Sequence, residues 1–529
     1  MIFTLHRYIF KELIKIFILA AIGLTLILSL GSILQPIQKY GVGPQQVIHL
    51  LVCFLPVTLT FVLPMSGLFA ATLAYGRLAG DNELDACKAS GISPLTIVYP
   101  GCMLAILVAI ANLLLSFHMM PYFVHQAESA IKADAKQILF RNIERRGYYK
   151  IPPEEEYGIY ADITYPDKDG LRGVIIVKTK HGIVEEINSA KDAKISFNTQ
   201  GRSNEVNISA NQTSQISVNH FVEIRNPTLQ VKFRALLEDE IDFKRINEMK
   251  EIQADPLKFY PIESLAQETY AQLATELLAQ DINDVLQKKQ SYMLRGEPNS
   301  IEISADHTLL AEEQGIEFQG NVEIKEFNCR TGRLVSHLIC EKASLSLELT
   351  DLTPDIILDV FNASLPADTT PNIIMQHTVK GLQFPGNLGK LIPSRNLLSV
   401  TEPESISSIL KKEPAPELAN RAQALQREIR QTDVEIDAAI HSRLVFGIGC
   451  LPMIMIGIGL GILLRGGHML SAFGVSCLPA IILIVGIVSG KHVAENPGSP
   501  VSTGLSIMWA GLGVLCLITA YVYRRINRN

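Results

Sequence analysis

The sequence predicts a helical membrane protein, with six transmembrane helices in a three-plus-three arrangement and an all-β, jelly-roll-like domain inserted between the third and the fourth. Three observations lead there. Hydropathy is divided along the chain, the Lys and Arg residues of the short loops are divided between two sides, and the middle alternates apolar and polar residues. Of 529 residues, 48% are hydrophobic and only 19% charged. A soluble chain of this length folds as several domains and needs more charge to cover them. Both ends run for long stretches almost without charge, while the region from about 127 to 435 reads as ordinary water-soluble sequence. A wholly soluble enzyme and a wholly buried channel are both excluded.

A bilayer core needs about 20 apolar residues per helix. Residues 16–34, 47–74 and 95–120 qualify before the polar middle, and 444–464, 469–488 and 501–523 after it. Arg7, Lys11 and Lys15 give the first span the look of a signal peptide, but its apolar run is too long and no small-residue cleavage site follows. Orientation follows from the short loops. One side carries Arg7, Lys11, Lys15, Arg77, Lys88, Arg465, Arg524, Arg525 and Arg528; the other carries Lys39, Arg443 and Lys491. The excess marks the cytoplasmic side, so both termini and the loops 76–94 and 465–468 belong there. The long middle is then exported. The expected division is 1–126 for three spans with a cytoplasmic helix at 81–91, 127–416 for the exported β domain with a helical insertion at 262–294, and 417–529 for a linker helix and three spans.

The exported part shows the strand period. Ile195/Phe197, Val206/Ile208, Ile216/Val218 and Leu229/Val231/Phe233 alternate with polar residues. After a break come Ile316/Phe318/Gly320/Val322/Ile324 and Leu345/Leu347/Leu349. Short alternating runs separated by Asn, Gly and Asp argue for antiparallel strands with one buried face. Between the two groups, Leu265, Leu273, Leu277 and Val285 fall at near-helical spacing, and a second helical stretch, 417–440, runs into the fourth span. Cys329 and Cys340 are the two cysteines of the polar middle. A hairpin closed at Thr331-Gly332 sets Cys340 near Glu323, which leaves Cys329 poorly placed to bridge it.

No catalytic signature is present. The nearest approach to a phosphate-binding loop, Gly486 to Lys491, lacks both the spacing and the hydroxyl that follows. There is no HExxH, GxSxG or paired CxxC, and the twelve histidines are scattered. No enzyme, cofactor or metal site is expected. The net charge of −6 offers no basic surface to nucleic acid. The spans lack the Asp or Glu that an ion relay needs, so uphill work requires a separate ATPase chain.

The most informative segment is the cytoplasmic loop 75–93. Asp81 is a good N-cap, Glu83 and Asp85 suit the positive end of a helix dipole, and Gly91 can stop a helix in the left-handed conformation. A short capped helix on the membrane surface is at its plainest a connector. It is also what a coupling helix for a cytoplasmic motor requires, here made of Asp81, Glu83, Leu84, Ala86, Cys87, Ala89 and Gly91: the small Ala86, Ala89 and Ser90 permit close approach and Glu83 supplies an anchoring charge.

Here the residues become recognisable. Leu63-Pro64-Met65-Ser66-Gly67-Leu68, Gly76-Arg77-Leu78, Asp81-Asn82-Glu83-Leu84, Ala89-Ser90-Gly91-Ile92-Ser93 and Pro100 resemble the LptF/LptG (YjgP/YjgQ) family of lipopolysaccharide export system permeases. So do Arg7-Tyr8 before span one, Pro121 as the end of span three, and His441-Ser442-Arg443-Leu444 at the entry of span four. The resemblance covers 1–130 and 435–529 well. In the middle, 316–322 with Ala343-Ser344-Leu345-Ser346-Leu347 resembles the repeat of periplasmic jelly rolls that bind lipopolysaccharide. The chain is longer than the family's usual size, with the excess in 235–310 and in the second strand group.

The resemblance implies the permease subunit of an ABC-type exporter in the inner membrane. Its partners would be a cytoplasmic (LptB-like) ATPase, a second permease of the family, a periplasmic jelly-roll bridge (LptC/LptA-like), and lipopolysaccharide itself. Spans one and five would line lateral gates. Lys39, at the outer end of span one, would meet lipid A phosphates or else anchor the helix by snorkelling. His441 and Arg443 would anchor span four, pair with Glu435 or Asp437, or touch substrate. The apolar β face would be either a sealed core or an open groove for acyl chains. Residues 262–294 would be a docking element or an insertion on a loop. The alternatives are another ABC-type lipid or lipoprotein release permease, or a passive membrane-anchored lipid-handling protein. The three-plus-three spans separate the family from both.

Overall fold

Among the described residues six helices are long and apolar enough to cross a membrane: Phe3–Ser29, Leu51–Gly80, Pro94–Ala130, Pro416–Leu463, Leu478–Glu495 and Val501–Ile526. Apolar runs of this length become helices because a bilayer offers no water to the backbone, and a helix satisfies its own N–H and C=O groups. The structure is a computed structural model and describes residues 2–40, 44–150, 157–166, 169–180, 183–198, 204–217, 220–224, 228–233, 240–297, 299–311, 315–350, 353–364, 373–463 and 469–528. It falls into two compact units, Met1–Ala254 with Gln431–Asn529, and Asp255–Arg430.

In the first unit α1 (Ile2–Tyr40) and α2 (Pro44–Gly80) form an antiparallel pair, α3 (Glu83–Ala89) lies in the loop that follows, and α4 (Pro94–Leu114) returns. Pro121 does not end span three, contrary to expectation. One π turn, Leu115–Met119, leads from α4 straight into α5 (Met120–Arg146), and Met120 N–H donates to Leu115 O. Pro121 follows the π turn, whose wider winding accommodates a residue with no N–H to give the turn before it, and the rod runs on. It stops at Gly147, whose φ of 78° is left-handed.

Close helix packing in this unit depends on glycine. A side chain on Gly457 would meet Leu68 O at 2.7 Å, and one on Gly461 would meet Thr72 O at 2.8 Å and Gly76 N at 2.9 Å. Two glycines one turn apart thus let α11 (Pro416–Leu463) lie directly on the backbone of α2. Beyond it, α12 (Met469–Glu495) and α13 (Val501–Arg528) pair, with Gly490 facing Gly504.

The first strand group forms one antiparallel sheet: β1 (Tyr148–Lys150), β2 (Tyr157–Tyr165), β3 (Gly170–Lys180), β4 (Ile183–Asn198), β5 (Asn204–Ser217), then β6 (His220–Ile224) and β7 (Thr228–Phe233), which both pair with β5. Each strand pairs with its neighbour in sequence up to that point. Ile159, Leu171, Val174, Ile195 and Ile208 are buried on one face, under Leu139, Phe140 and Ile143 at the end of α5. α6 (Ile246–Ala254) closes the unit's first segment.

The second unit is built around α7 (Tyr260–Leu286). The expected helix 262–294 ends at Leu286 because Lys289 turns left-handed, at φ 56°, and Tyr292–Leu294 is already strand β8. β9 (Asn299–Ser304), β10 (His307–Ala311), β11 (Gly315–Asn328), β12 (Leu334–Thr350), β13 (Thr353–Ser364) and β14 (Ile373–Gln383) complete a second antiparallel sheet. The chain after β8 also reaches the last strand. Glu297 N–H donates to Gly381 O (3.2 Å) and Gln383 N–H to Arg295 O (2.7 Å), so the sheet closes on itself. Gly296 and Gly381 allow the approach, since a side chain on either would strike backbone oxygen at 2.7–2.8 Å. Far from being an insertion carried on a loop, α7 packs on β8, β10, β11 and β12. Its other side meets α9 (Leu397–Val400), which follows the short turn α8 (Gly386–Gly389) and precedes α10 (Pro403–Ile409). The N-terminal turns of α11 join through Arg421–Glu268 (3.0 Å) and Ala415 N–H to Glu276 (3.2 Å). The open-groove reading therefore fails on this sheet. Ile316, Phe318, Val322 and Leu345 are sealed at 0% exposure.

Both sheets use the same construction. In each, a glycine of the third row stands at positive φ against an aspartate of the second: Gly173 (φ 63°) against Asp162, and Gly320 (φ 95°) against Asp306. Asp306 accepts the Asn321 N–H at 2.9 Å and holds a bulge there. Two residues before each glycine, Leu171 and Phe318 face Ala193 and Ala343. Two further on, Ile195 and Leu345 face Ile208 and Leu358. In both, the preceding helix, α5 or α7, lies across the apolar face.

Cys340 faces Val322 and is buried, which pushes its thiol up to about 11; Cys329 is exposed and donates to Gly296 O at 2.8 Å. Both are free.

Candidate functional site

The segment between α2 and α4 becomes a two-turn helix with a fixed inner and outer side. Leu84 is 3% exposed and sits in the cluster formed by Ile9, Leu13, Tyr75, Leu78 and Ile97, with Cys87 and Ile92 packed against its edge. Glu83, Ala86, Ala89 and Ser90 are exposed. The stop is a Schellman arrangement: Ile92 N–H reaches Cys87 O (3.1 Å), Gly91 N–H reaches Lys88 O (3.0 Å), and Gly91 is left-handed at φ 78°. The start differs from expectation. Asp81 is not the N-cap, because its N–H still donates to Arg77 O (2.9 Å) and so belongs to the end of α2. The chain reverses at Asn82, at φ 60°, which is the cap residue without a side-chain capping bond. Glu83 and Asp85 occupy the first turn, where the dipole favours them.

Both flanks of this helix are fastened. Arg77 Nη1 donates to Glu12 Oε1 at 2.8 Å, the Tyr75 hydroxyl donates to Ile97 O at 2.9 Å, and His6 Nε2 lies 2.9 Å from Thr96 O. A carbonyl only accepts, so that ring nitrogen carries the proton. The ion pair was not read from the sequence; the one signal was a lone Glu among the basic residues ahead of span one.

At the opposite end of the spans, Arg443 and His441 do not work together. Arg443 is 7% exposed and pairs with neither Glu435 nor Asp437. Its Nη2 donates to Asp242 O (2.7 Å) and Lys244 O (3.0 Å), and its guanidinium lies 5.8 Å from the Phe117 ring centroid. Asp242 in turn pairs with Lys491 of α12. Gln253 reaches Asp437 (3.2 Å), and His125 stands 3.5 Å from Glu248. Burial raises the Glu248 carboxyl, but the His125 and Arg245 hydrogen bonds outweigh it and leave it below the usual range. Residues 240–254 thus form a clasp on three rods, α5, α11 and α12, and no sequence motif marks it. His441 instead accepts from Trp509 Nε1 at 3.2 Å. The Lys39 side chain lies outside the described residues, as does loop 465–468.

Among the described residues no group of three or more His, Cys, Asp or Glu side chains is placed to hold a metal ion. Residues 7–525 match the family described as lipopolysaccharide export system permease LptF/LptG. No curated protein matches the chain.

Proposed function

The chain belongs to the lipopolysaccharide export system permease LptF/LptG family, and on that premise we propose that it is the membrane subunit through which a separate, cytoplasmic ATPase drives lipopolysaccharide out of the inner membrane. The observation that carries the motor half of this reading is α3. A seven-residue helix is too short to persist alone, so its Schellman stop and buried Leu84 must hold it. That leaves Glu83, Ala86, Ala89 and Ser90 as a small, rigid face turned outwards. The lipid half rests on family membership together with the apolar surfaces of α1 and α12, where Leu19, Ile22, Ile27, Ile481, Val485 and Val488 are exposed. Lipid would enter between such spans and leave along the exported β surface to a periplasmic bridge. A second permease of the family would complete the cavity, and Lys39 would meet the lipid phosphates.

Affinity purification from native membranes tests the reading, with wild type beside Glu83→Lys. A nucleotide-hydrolysing subunit that accompanies the wild type, and is lost or uncoupled in the variant, supports it. If no ATPase accompanies the wild type in a detergent that keeps the assembly together, the motor-driven reading falls.

A further inference from the structure

We propose that Arg77 and Glu12 form a positioning clamp that makes the coupling helix and the cytoplasmic foot of span one a single moving body; the proposal rests on the exporter reading above. The foot of α1 is buried by the same residues that seat α3. Ile9 (1% exposed) and Leu13 (0%) share a core with Leu84, and Phe10 and Phe17 pack on its rim. Farther along, α1 is covered much less: Ile18, Leu19, Ile22, Leu26 and Ile27 are exposed. Span one is therefore gripped at its inner end.

The polar contacts of that grip fall on both flanks of α3. Arg77, four residues ahead of Asp81 and bonded to it through the backbone, reaches Glu12; Tyr8 stands beside the same guanidinium. His6 reaches Thr96, just beyond the Schellman stop, and stacks on Tyr99 at 5.4 Å. Displacement of α3 by a docked partner pulls on the end of α2 and the start of α4, which Tyr75 ties together, and the Arg77 and Thr96 contacts carry it from there into α1. Arg77 touches neither lipid nor nucleotide in this scheme. It fixes which span feels the stroke first.

The experiment compares wild type, Arg77→Gln, Glu12→Gln, Arg77→Lys and the charge swap Glu12→Arg with Arg77→Glu. Each is purified as the complex from native membranes and reconstituted in proteoliposomes containing lipopolysaccharide. ATP hydrolysed and lipopolysaccharide released are measured together. Loss of a partly exposed pair should lower lipid released per ATP up to about fivefold while hydrolysis persists, with recovery in Arg77→Lys and in the swap. Hydrolysis and release falling in parallel, with no recovery in the swap, would reduce the pair to a structural contact and overturn the clamp. Variants equal to wild type would overturn it as well. A wild-type complex that hydrolyses ATP and releases no lipid would sink the exporter reading, and the clamp's role with it.

Discussion

Gly457 and Gly461 press α11 against the backbone of α2, and each can be tested alone. Gly461→Leu would drive a side chain into Thr72 O, and overpacking of this kind costs about 1–3 kcal/mol. The expected result is a lower thermal midpoint in detergent. Gly474 is the control: nothing lies within 4 Å of where its side chain would stand. Gly474→Ala should leave the midpoint unchanged or raise it slightly, because alanine favours helix by about 0.5–1 kcal/mol. If both substitutions behave alike, the contact between α11 and α2 is not what the geometry implies. The glycine content of these spans was plain in the sequence. Which glycines are pressed against backbone was not, because that depends on which face of α11 meets α2.

Among the elements, α7 carries the sharpest expectation. It is buried on nearly every side and includes Thr269, Gln272, Thr275 and Glu276 among its covered residues. Burial raises the Glu276 carboxyl most; the hydrogen bond from Ala415 works the other way, and Glu417 raises it again, for a net rise. A raised carboxyl binds its proton more tightly in the folded chain. Stability is therefore full below the ordinary carboxylate pKa and falls as pH climbs through the shifted one. Glu276→Gln should remove that part of the slope, seen as thermal midpoints less dependent on pH between 4 and 7 than those of wild type. An unchanged slope would mean that Glu276 titrates alike in the folded and the unfolded chain. Helix existence was legible here from Leu265, Leu273 and Leu277. Its place at the centre of a unit was not, since periodicity reports one buried face and α7 has partners on two. The clasp at 240–254 escaped for a related reason: Arg443 binds main-chain carbonyls, which leave no trace in side-chain chemistry.

At the scale of the whole molecule, orientation is the open quantity that experiment can fix directly. In a cysteine-free background, Ala86→Cys should react with a membrane-impermeant maleimide only once the cytoplasm is opened. Arg330→Cys, on the exposed hairpin between β11 and β12, should react as soon as the outer membrane is permeabilised. The reverse order would overturn the orientation drawn from the Lys and Arg residues of the short loops. The six spans and the β middle were readable because both follow from hydropathy and period two, properties of the chain taken a few residues at a time. The division of the strands into two sheets, and the closure of the second, depend on pairings between distant residues.

Those pairings also say something about how such a chain can be made. In both sheets most strands pair with the one just before them, so a hairpin needs only what has already been synthesised. Local contacts of this kind close short loops and fold fast. The first sheet can therefore assemble row by row on the end of α5 while later spans are still being synthesised. The second has one long-range join. The contact of 295–297 with 381–383 must wait for the last strand, and until then that edge stays unpaired. From the emergence of β8 to that of β14 this sheet therefore offers a strand edge to any other chain nearby, and its own last strand is what withdraws the offer.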